Sequence, residues 1–162
     1  MSCDDPGGRR VLIFDEGMPR PRLDDPDTLP FWAACREHRL VVQQCANCGT
    51  YRFAPVPLCY RCRSWDTDWV ESAGRGRVYT WTVTHRVIQP ATASARPYNT
   101  AVIELDDCGG ALITSNVLDI DNDRLRPDLA VEVIWDEVAE DLTLPRFRPV
   151  AESDRKKANN AH

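Results

Sequence analysis

The stretch that decides the fold runs from Cys45 to Cys62 and reads Cys45-Ala-Asn-Cys48-Gly-Thr-Tyr-Arg-Phe-Ala-Pro-Val-Pro-Leu-Cys59-Tyr-Arg-Cys62. It contains two Cys-x-x-Cys pairs with ten residues between them. Pairs at this separation can present four thiolates tetrahedrally to one metal ion. A glycine follows Cys48, where the turn around a metal often needs a positive φ angle. We therefore predict a metal site formed by Cys45, Cys48, Cys59 and Cys62.

The number and type of these ligands predict what the site does. Four sulfur ligands fill the coordination shell and leave no position for a reactive water, so the site is expected to be structural. Zn²⁺ suits such ligands, and rubredoxin-type iron is an alternative. Two further alternatives are four reduced cysteines without metal and a single pair used for redox chemistry. The chain has seven cysteines, an odd number that argues against a purely disulfide-paired framework. We expect one structural zinc per chain.

Hydrophobic periodicity around the quartet predicts the secondary structure. Thr28 suits an N-cap and Pro30 the first turn, which predicts a short helix over residues 29–37. A strand at 40–44 leads into the first cysteine pair. From Gly76 the period changes to two, and Tyr79, Trp81 and Val83 are expected to share one strand face. Further strands are predicted at 100–105, 111–118, 130–135 and 142–150, the last interrupted by proline and therefore at a sheet edge.

These elements predict a mainly β protein with an N-terminal helix. Five short strands in about 78 residues favour a small closed or partly open barrel. We divide the chain into a leader with the helix (1–40), a metal-binding lobe (41–72), a barrel (73–150) and a disordered tail (151–162). Within the leader, residues 1–27 are expected to be mostly irregular around the apolar residues Val11–Phe14.

Composition and charge exclude several classes of protein. A chain of 162 residues is too short for a TIM barrel, and its apolar runs are too short to span a bilayer. Because the N-terminus lacks the layout of a secretory signal, we expect a cytoplasmic protein. Residues 97–145 carry twelve acidic and two basic residues, a net charge of −10 that disfavours bulk nucleic-acid binding. Residues 36–96 carry a net charge of +5, which suits a small phosphorylated ligand.

The sequence offers no credible catalytic constellation. It has no Ser–His–Asp order, no paired-carboxylate motif, no Gly-rich phosphate loop and no His-Glu-x-x-His. Cys35 and Cys108 could serve as nucleophiles in principle, but a buried helix face and a turn are their more ordinary settings. His85 is more readily explained as a strand histidine than as a base. We therefore predict that the chain is not catalytic alone.

The order of helix, cysteine quartet and barrel resembles a known family, the acyl-CoA-associated zinc-ribbon/OB-fold proteins, long described as a domain of unknown function. The resemblance covers roughly residues 28–150. The matching stretches are Pro30-Phe-Trp-Ala-Ala-Cys-Arg-Glu-His-Arg-Leu, the quartet with Arg52-Phe-Ala-Pro, Gly74-Arg-Gly-Arg-Val-Tyr-Thr-Trp-Thr-Val, Pro97-Tyr-Asn-Thr-Ala-Val-Ile-Glu-Leu-Asp and Leu144-Pro-Arg-Phe-Arg-Pro. Residues 1–27 match nothing in the family, and the turn Asp107-Cys-Gly-Gly departs from its usual Asp-Glu-Gly form.

This resemblance implies a rubredoxin-like zinc ribbon followed by a five-stranded OB-fold barrel. It also implies a small, non-catalytic subunit of an acyl-CoA enzyme, which stabilises a large partner and helps form the passage for the CoA ester. The partner would be thiolase-like, most readily a lipid-transfer-type retro-aldolase of steroid side-chain degradation. A hotdog-fold enoyl-CoA hydratase is the alternative partner. Assemblies of two small and two large subunits follow from the dimeric cores of thiolase-like proteins.

Four residues are candidates for contacts within such a complex. Arg75, Arg77 and Arg86 could meet the phosphates of CoA, since guanidinium groups suit bidentate phosphate contacts. Phe147 could anchor a subunit contact, or it could simply close the barrel.

Two other functions remain open from the sequence. A single-stranded nucleic-acid binder would stack bases on Tyr79 and Trp81. A rubredoxin-like electron carrier would hold iron in the quartet.

Overall fold

The computed structural model describes residues 18–86 and 97–151. The apolar leader residues Val11–Phe14 and the tail from residue 152 onward lie outside this part of the chain. Within it there is one α-helix, a 3-10 turn at Asn122–Arg124 and eight strands. The helix is α1 (Leu29–Arg36), and the strands are β1 (Leu40–Cys45), β2 (Tyr51–Arg52), β3 (Thr67–Ser72), β4 (Arg75–Thr84), β5 (Tyr98–Leu105), β6 (Leu112–Ser115), β7 (Ala130–Ala139) and β8 (Leu142–Pro149).

Helix α1 begins as the sequence predicts, but without the expected side-chain cap. Thr28 makes no capping hydrogen bond, and its hydroxyl instead donates to the Arg22 carbonyl at 3.5 Å. Pro30 lies in the first turn, where its missing N–H costs nothing. The helix buries Phe31, Ala34 and Cys35, and the Phe31 ring meets those of its neighbours Trp32 and Phe53 edge-on.

The first sheet has three strands in the order β2-β1-β3. The central strand, β1, buries Leu40, Val41 and Val42 in succession, because apolar groups cover it on both faces. Strand β3 pairs antiparallel along the whole of β1, from Leu40 opposite Ser72 to Cys45 opposite Thr67. The sequence prediction missed β3, since its apolar residues are adjacent rather than alternating.

The second sheet has five antiparallel strands in the order β6-β5-β4-β7-β8 and curls into a nearly closed barrel. A parallel bridge between Val117 and Phe147 joins its two ends. The Phe147 N–H donates to the Asn116 carbonyl at 2.9 Å, and the Leu118 N–H donates to the Phe147 carbonyl at 2.7 Å. The proline-containing strand β8 lies at the end of the sheet order, as predicted. The predicted mainly β barrel is confirmed.

A β-bulge in β4 overturns one prediction about strand faces. The register between β4 and β5 shifts between Val78 and Thr80, so Tyr79 is the extra residue. Val78 is buried, Tyr79 is 59% exposed, and Trp81 packs partly buried against the core. Tyr79 and Trp81 therefore do not share a buried face, because the bulge inserts one residue into the alternation.

One hydrophobic cluster runs through the helix, the first sheet and the barrel. It includes Phe31 of α1, Val42 of β1, and Val78 and Phe147 of the barrel strands. The two sheets therefore share a core rather than forming separately packed units, and neither sheet covers its apolar face alone.

A polar contact also ties the first sheet to the barrel. In the turn between β5 and β6, the Asp107 carboxylate accepts hydrogen bonds from the Ser72 hydroxyl at 2.7 Å and from the Ala73 N–H at 2.6 Å. Partial burial acts to raise the pKa of Asp107, but its hydrogen bonds together, those from Ser72 and Ala73 foremost, outweigh burial and hold that pKa below its usual value. In the same turn, Gly109 packs closely against the Tyr51 ring of the first sheet, because a Cβ placed on Gly109 would come within 2.7 Å of that ring.

We expect Asp107→Ala to destabilise the protein by about 1–2 kcal/mol at neutral pH, because two donors lose a charged acceptor. A carboxylate whose pKa is depressed by folding stabilises the protein above its unfolded pKa and stops doing so as the pH falls through its folded pKa. The difference in free energy of unfolding between the variant and the wild type should therefore shrink below about pH 4. Urea unfolding at several pH values measures this. Asp106→Ala is the control, since its exposed ion pair with Arg77 should contribute under about 0.5 kcal/mol. Equal effects of the two variants would contradict the prediction.

Candidate metal centre and its surroundings

The four predicted cysteine ligands come together in the structure. The sulfur atoms of Cys45 and Cys62 are 3.5 Å apart, those of Cys48 and Cys59 are 3.7 Å apart, and all four lie within 4.8 Å of one another. A tetrahedral site with Zn–S bonds of about 2.3 Å has S···S edges of about 3.8 Å. The cluster therefore fits a tetrathiolate zinc, which would be held by sulfur ligands alone.

Two similar turns hold the cysteines. The Gly49 N–H donates to the Cys45 carbonyl, and the Arg63 N–H donates to the Cys59 carbonyl, both at 2.8 Å. Gly49 and Arg63 each follow the second cysteine of a pair and have positive φ angles of 71° and 61°. The prediction of a positive φ angle at the residue after Cys48 is confirmed. In the second turn an arginine, Arg63, adopts the same left-handed backbone conformation.

This difference between the turns predicts opposite mutational effects. No atom lies within 4 Å of a Cβ placed on Gly49, so Gly49→Ala should cost about 1 kcal/mol through backbone strain alone. Arg63→Gly relieves the same strain, but it also gives the unfolded chain more conformational entropy. Its net effect should therefore lie between neutral and a stabilisation of about 1 kcal/mol. Thermal unfolding of the zinc-loaded proteins tests both. Destabilisation by Arg63→Gly as large as that of Gly49→Ala would contradict this account.

The hydrogen bonds around Cys48 favour its thiolate form. The Thr50 hydroxyl lies 3.2 Å from the Cys48 sulfur, and its hydrogen bond, with that of the Thr50 N–H, lowers the pKa of this thiol to about 6. Arg52, on the strand next to β1, is buried, and it donates to the Thr67 hydroxyl at 2.5 Å. Among the described residues its Nε and Nη1 have no hydrogen-bond partner. A tetrathiolate zinc carries a net charge of −2, which lowers the cost of burying this cation nearby.

The remaining described cysteines do not have the character of nucleophiles. Cys35 is fully buried in α1, and burial raises the pKa of its thiol to about 12. Cys108 is fully buried in the turn between β5 and β6, where burial and the charge of Asp107 raise its thiol pKa to about 11. Both are packing residues, since the thiolate is the reactive form. Cys3 lies outside the described residues.

Two of the three predicted phosphate-binding arginines lie on β4. Arg75 and Arg77 are exposed and two residues apart on the same strand, and Arg77 Nε lies 3.4 Å from an Asp106 oxygen. Arg86 is exposed just beyond the other end of β4. It is eleven residues from Arg75 and beyond the bulge, whereas Arg75 and Arg77 are two residues apart on one strand face, the spacing that best suits a shared phosphate group.

Phe147 lies in the barrel core with 0% exposure. Its backbone forms the bridge to Val117 that joins the ends of the sheet. Of the two roles weighed from the sequence, closing the barrel is the one that this position fits.

A pocket that the sequence analysis missed opens between the helix, the segment that follows β2 and the barrel. Its volume is about 340 Å³. Its lining includes the apolar and aromatic side chains of Phe31, Trp32, Phe53 and Leu144 and the polar side chain of Arg146. The only signal in the sequence was the run of aromatic residues in the helix and after β2, which helical spacing alone assigns to the core.

A network of amides lies between the pocket and the barrel seam. The Asn99 side chain donates to the Val117 carbonyl and accepts from the Val117 N–H, both at 2.8 Å. The Asn116 side chain donates to the Asn99 carbonyl and accepts from Arg146. Arg146 also lies 3.3 Å from an Asp136 oxygen. The network orders the segment that follows β6.

Helix, tetrathiolate ribbon and OB-type barrel on one core define a zinc-ribbon/OB-fold protein. The description "ChsH2, rubredoxin-like zinc ribbon domain" matches residues 32–67, and "ChsH2, C-terminal OB-fold domain" matches residues 69–136. The chain belongs to this family, whose members include proteins described as DUF35. The resemblance stated from the sequence and the structural zinc are both confirmed.

Three proteins illustrate the relationship. A "probable enoyl-CoA hydratase alpha subunit" of Thermomonospora curvata is 40% identical over 131 residues, which are 81% of this chain and 40% of that protein. A "DUF35 domain-containing scaffold protein" of Methanocaldococcus jannaschii is 31% identical over 74% of this chain and 84% of its own length. A solved chain of "Ltp2-ChsH2(DUF35) aldolase" is 38% identical, with a TM-score of 0.73, over 82% of this chain and 100% of that chain. The chain thus spans less than half of the Thermomonospora relative.

The described residues contain no helix that is both long and apolar enough to cross a membrane.

Proposed function

We propose that this chain is a non-catalytic scaffold subunit of a cytoplasmic acyl-CoA-processing complex, whose large subunit is a thiolase-like retro-aldolase of the steroid side-chain type. The observation that carries this proposal is the 38% identity to a chain of an aldolase complex over that chain's whole length. In the proposed complex the partner supplies the acid and base, and this chain fixes the partner's fold and lines the entrance for the CoA ester. An assembly of two small and two large subunits belongs to the proposal.

The character of the metal centre supports a non-catalytic role. Four cysteine sulfurs complete the coordination of a zinc ion and leave no open position for water or substrate. When bound, the ion supplies structural cross-linking of the two turns rather than Lewis-acid chemistry. The two other described cysteines have raised thiol pKa values, which disfavour nucleophilic attack near neutral pH.

The pocket beside α1 supports a role at the acyl part of the ligand. Its walls are mostly apolar and include Trp32 and Leu144, and its volume of about 340 Å³ lies in the range of small-molecule sites. The cation in its lining is Arg146, whose charge is already paired with Asp136. Such a surface would shield an apolar acyl group from water while leaving the reacting carbons to the partner.

Arg75 and Arg77 are proposed to meet the CoA phosphates. They are neighbours on the same strand, and the ion pair of Arg77 with Asp106 is exposed, so a phosphate can compete for that guanidinium. Arg86, at the far end of β4, would meet only a different part of an extended CoA.

The alternative partner is a hotdog-fold enoyl-CoA hydratase. One observation favours it: the Thermomonospora relative, which is 40% identical, is named an enoyl-CoA hydratase subunit. A nucleic-acid-binding role is less well supported, because Tyr79 and Trp81 do not form a common stacking surface.

The test is purification of the tagged chain from its native cells, identification of co-eluting proteins by mass spectrometry and co-expression of the main one. We expect a thiolase-like subunit in equal amount, retro-aldol cleavage of a β-hydroxyacyl-CoA, and no salt-sensitive oligonucleotide binding. A hotdog-fold partner would replace aldol cleavage by hydration, and recovery of no partner would overturn the proposal.

The proposed phosphate contacts are tested in the reconstituted complex. Arg75→Gln/Arg77→Gln should raise KM for the CoA ester with little change in kcat, and Arg22→Gln is the control.

A further inference from the structure

The outer surface of the second metal-binding turn exposes two large aromatic side chains. Tyr60 is 75% exposed and Trp65 is 71% exposed, although Cys59 beside them is fully buried. The Cys59 N–H donates to the Ser64 carbonyl at 2.9 Å, so the start and the end of the turn are adjacent. Tyr60 and Trp65 therefore leave the backbone from neighbouring points. Aromatic rings left in water at a fixed position are typical of an interaction surface.

Two arginines accompany these rings. Arg61 and Arg63 are exposed, and neither forms an ion pair with any residue in the described ranges 18–86 and 97–151. The nearest acidic side chain in sequence, Asp66, accepts a hydrogen bond from Ser64 at 3.1 Å instead. The turn thus presents two guanidinium groups that no carboxylate within the described ranges pairs with, so they are available to acidic groups of a partner.

The zinc site makes this surface rigid. Cys59 and Cys62 bracket Tyr60 and Arg61, and both are metal ligands. A bound ion fixes the backbone from which the rings and guanidinium groups project, so little conformational entropy is lost when a partner binds. Tyrosine, tryptophan and arginine are also the residues most enriched among those that dominate binding energy at protein interfaces.

We propose that this surface docks the large subunit of the complex, at an apolar recess edged by carboxylates. We call it the knuckle surface and define it as Leu58, Tyr60, Arg61, Arg63 and Trp65. We infer the carboxylates from Arg61 and Arg63, which have no ion pair within the described part of the chain. We infer the recess from the exposed rings and from Leu58, which is 38% exposed. This inference rests on the proposed function, because it assigns the partner's contact to a particular part of the chain.

The same residue types could in principle hold single-stranded nucleic acid. The neighbouring Asp66 and Asp68 are exposed and would repel a phosphate chain, whereas a protein surface can pair with both signs of charge. Two arginines and an aliphatic side chain also offer little to a continuous phosphate backbone. The observations therefore favour a protein partner.

The test measures binding of the zinc-loaded chain to the large subunit identified from the wild-type complex, by surface plasmon resonance. Tyr60→Ala/Trp65→Ala should weaken binding by about 30-fold or more, with one zinc per chain and an unchanged melting temperature. Arg61→Glu/Arg63→Glu should slow association and reduce its dependence on salt. Tyr79→Ala removes a ring that is 59% exposed on the barrel and should bind within twofold of wild type.

The outcomes separate the two proposals. If wild type binds a thiolase-like or hydratase subunit and the Tyr60→Ala/Trp65→Ala variant binds it within twofold, the knuckle surface is not the docking site and the scaffold function stands. If wild type binds no such subunit, the scaffold function and the docking site are both overturned. Salt-sensitive oligonucleotide binding that the double variant loses would assign the surface to nucleic acid and overturn the inference.

Discussion

Removal of the zinc is expected to unfold the three-stranded ribbon and to destabilise the barrel with it. Structural zinc sites contribute apparent binding free energies of about 10–16 kcal/mol in small domains, whereas whole domains are stable by only about 5–15 kcal/mol. Because β1 and the barrel share one apolar cluster, the loss should spread beyond the four cysteines. Chelation with excess EDTA, followed by circular dichroism and hydrogen exchange, should show loss of protection in β1 and β3 and a large fall in melting temperature.

Single substitutions isolate the role of the metal from that of the thiols. Cys48→Ser should reduce zinc content well below one per chain and reproduce the effect of chelation. Cys35→Ala removes a buried thiol that binds no metal, so it should keep one zinc per chain and lose only about 1 kcal/mol or slightly more of stability. A Cys48→Ser protein with full zinc content and the wild-type melting temperature would refute the assignment of this ligand.

Asn99→Ala is the second change with a large expected effect. Its side chain is 5% exposed and bonds both the N–H and the carbonyl of Val117, which is itself buried. Removal of the amide leaves two buried backbone groups unpaired, each at a cost of about 1–3 kcal/mol. We expect a loss of about 3–4 kcal/mol and a fall in melting temperature of about 10 °C or more. Urea and thermal unfolding measure these quantities, and the Val117 N–H should exchange faster with solvent.

Asn122→Ala is the matched control for this prediction. The Asn122 side chain accepts one hydrogen bond from Asn99 at 2.9 Å, and it donates one to the Pro97 carbonyl at 3.2 Å in an exposed position. Its removal should cost under about 1 kcal/mol. If Asn99→Ala were no more destabilising than Asn122→Ala, the barrel seam would not depend on the buried amide.

The features that the sequence predicts well are those encoded by short-range spacing. Two cysteine pairs define the metal site without knowledge of the fold, and Thr28-Leu-Pro marks the start of α1. The strands from β4 to β8 follow from alternation between apolar and polar residues, with ends that differ by up to four residues. Each of these signals lies within a stretch of 18 residues or fewer.

The features that the sequence does not predict depend on contacts between distant segments. In the sequence, Asn99 is an ordinary polar residue near the start of β5. Its stabilising role follows only from its hydrogen bonds to Val117, which is 18 residues away. Tyr79 fits the alternation of β4 until the register with β5 places a bulge there. The pocket beside α1 is formed by residues from α1, from the segment after β2 and from the barrel, which are far apart in the sequence. The exposure of Tyr60 and Trp65 likewise follows from how the second turn folds around its sulfurs.

The shared core determines how this unit can be moved between genes. A junction between Ser72 and Arg75 looks natural, because one sheet ends and the other begins there. A cut at that point would divide the apolar cluster and leave each fragment with an unpaired face. The Thermomonospora relative contains the matching unit as 40% of its length, so the same unit is also found within a longer polypeptide. Gene fusion and splitting in this family should therefore preserve the segment from α1 to β8 as one cassette, and grafts of the ribbon alone should fail to fold.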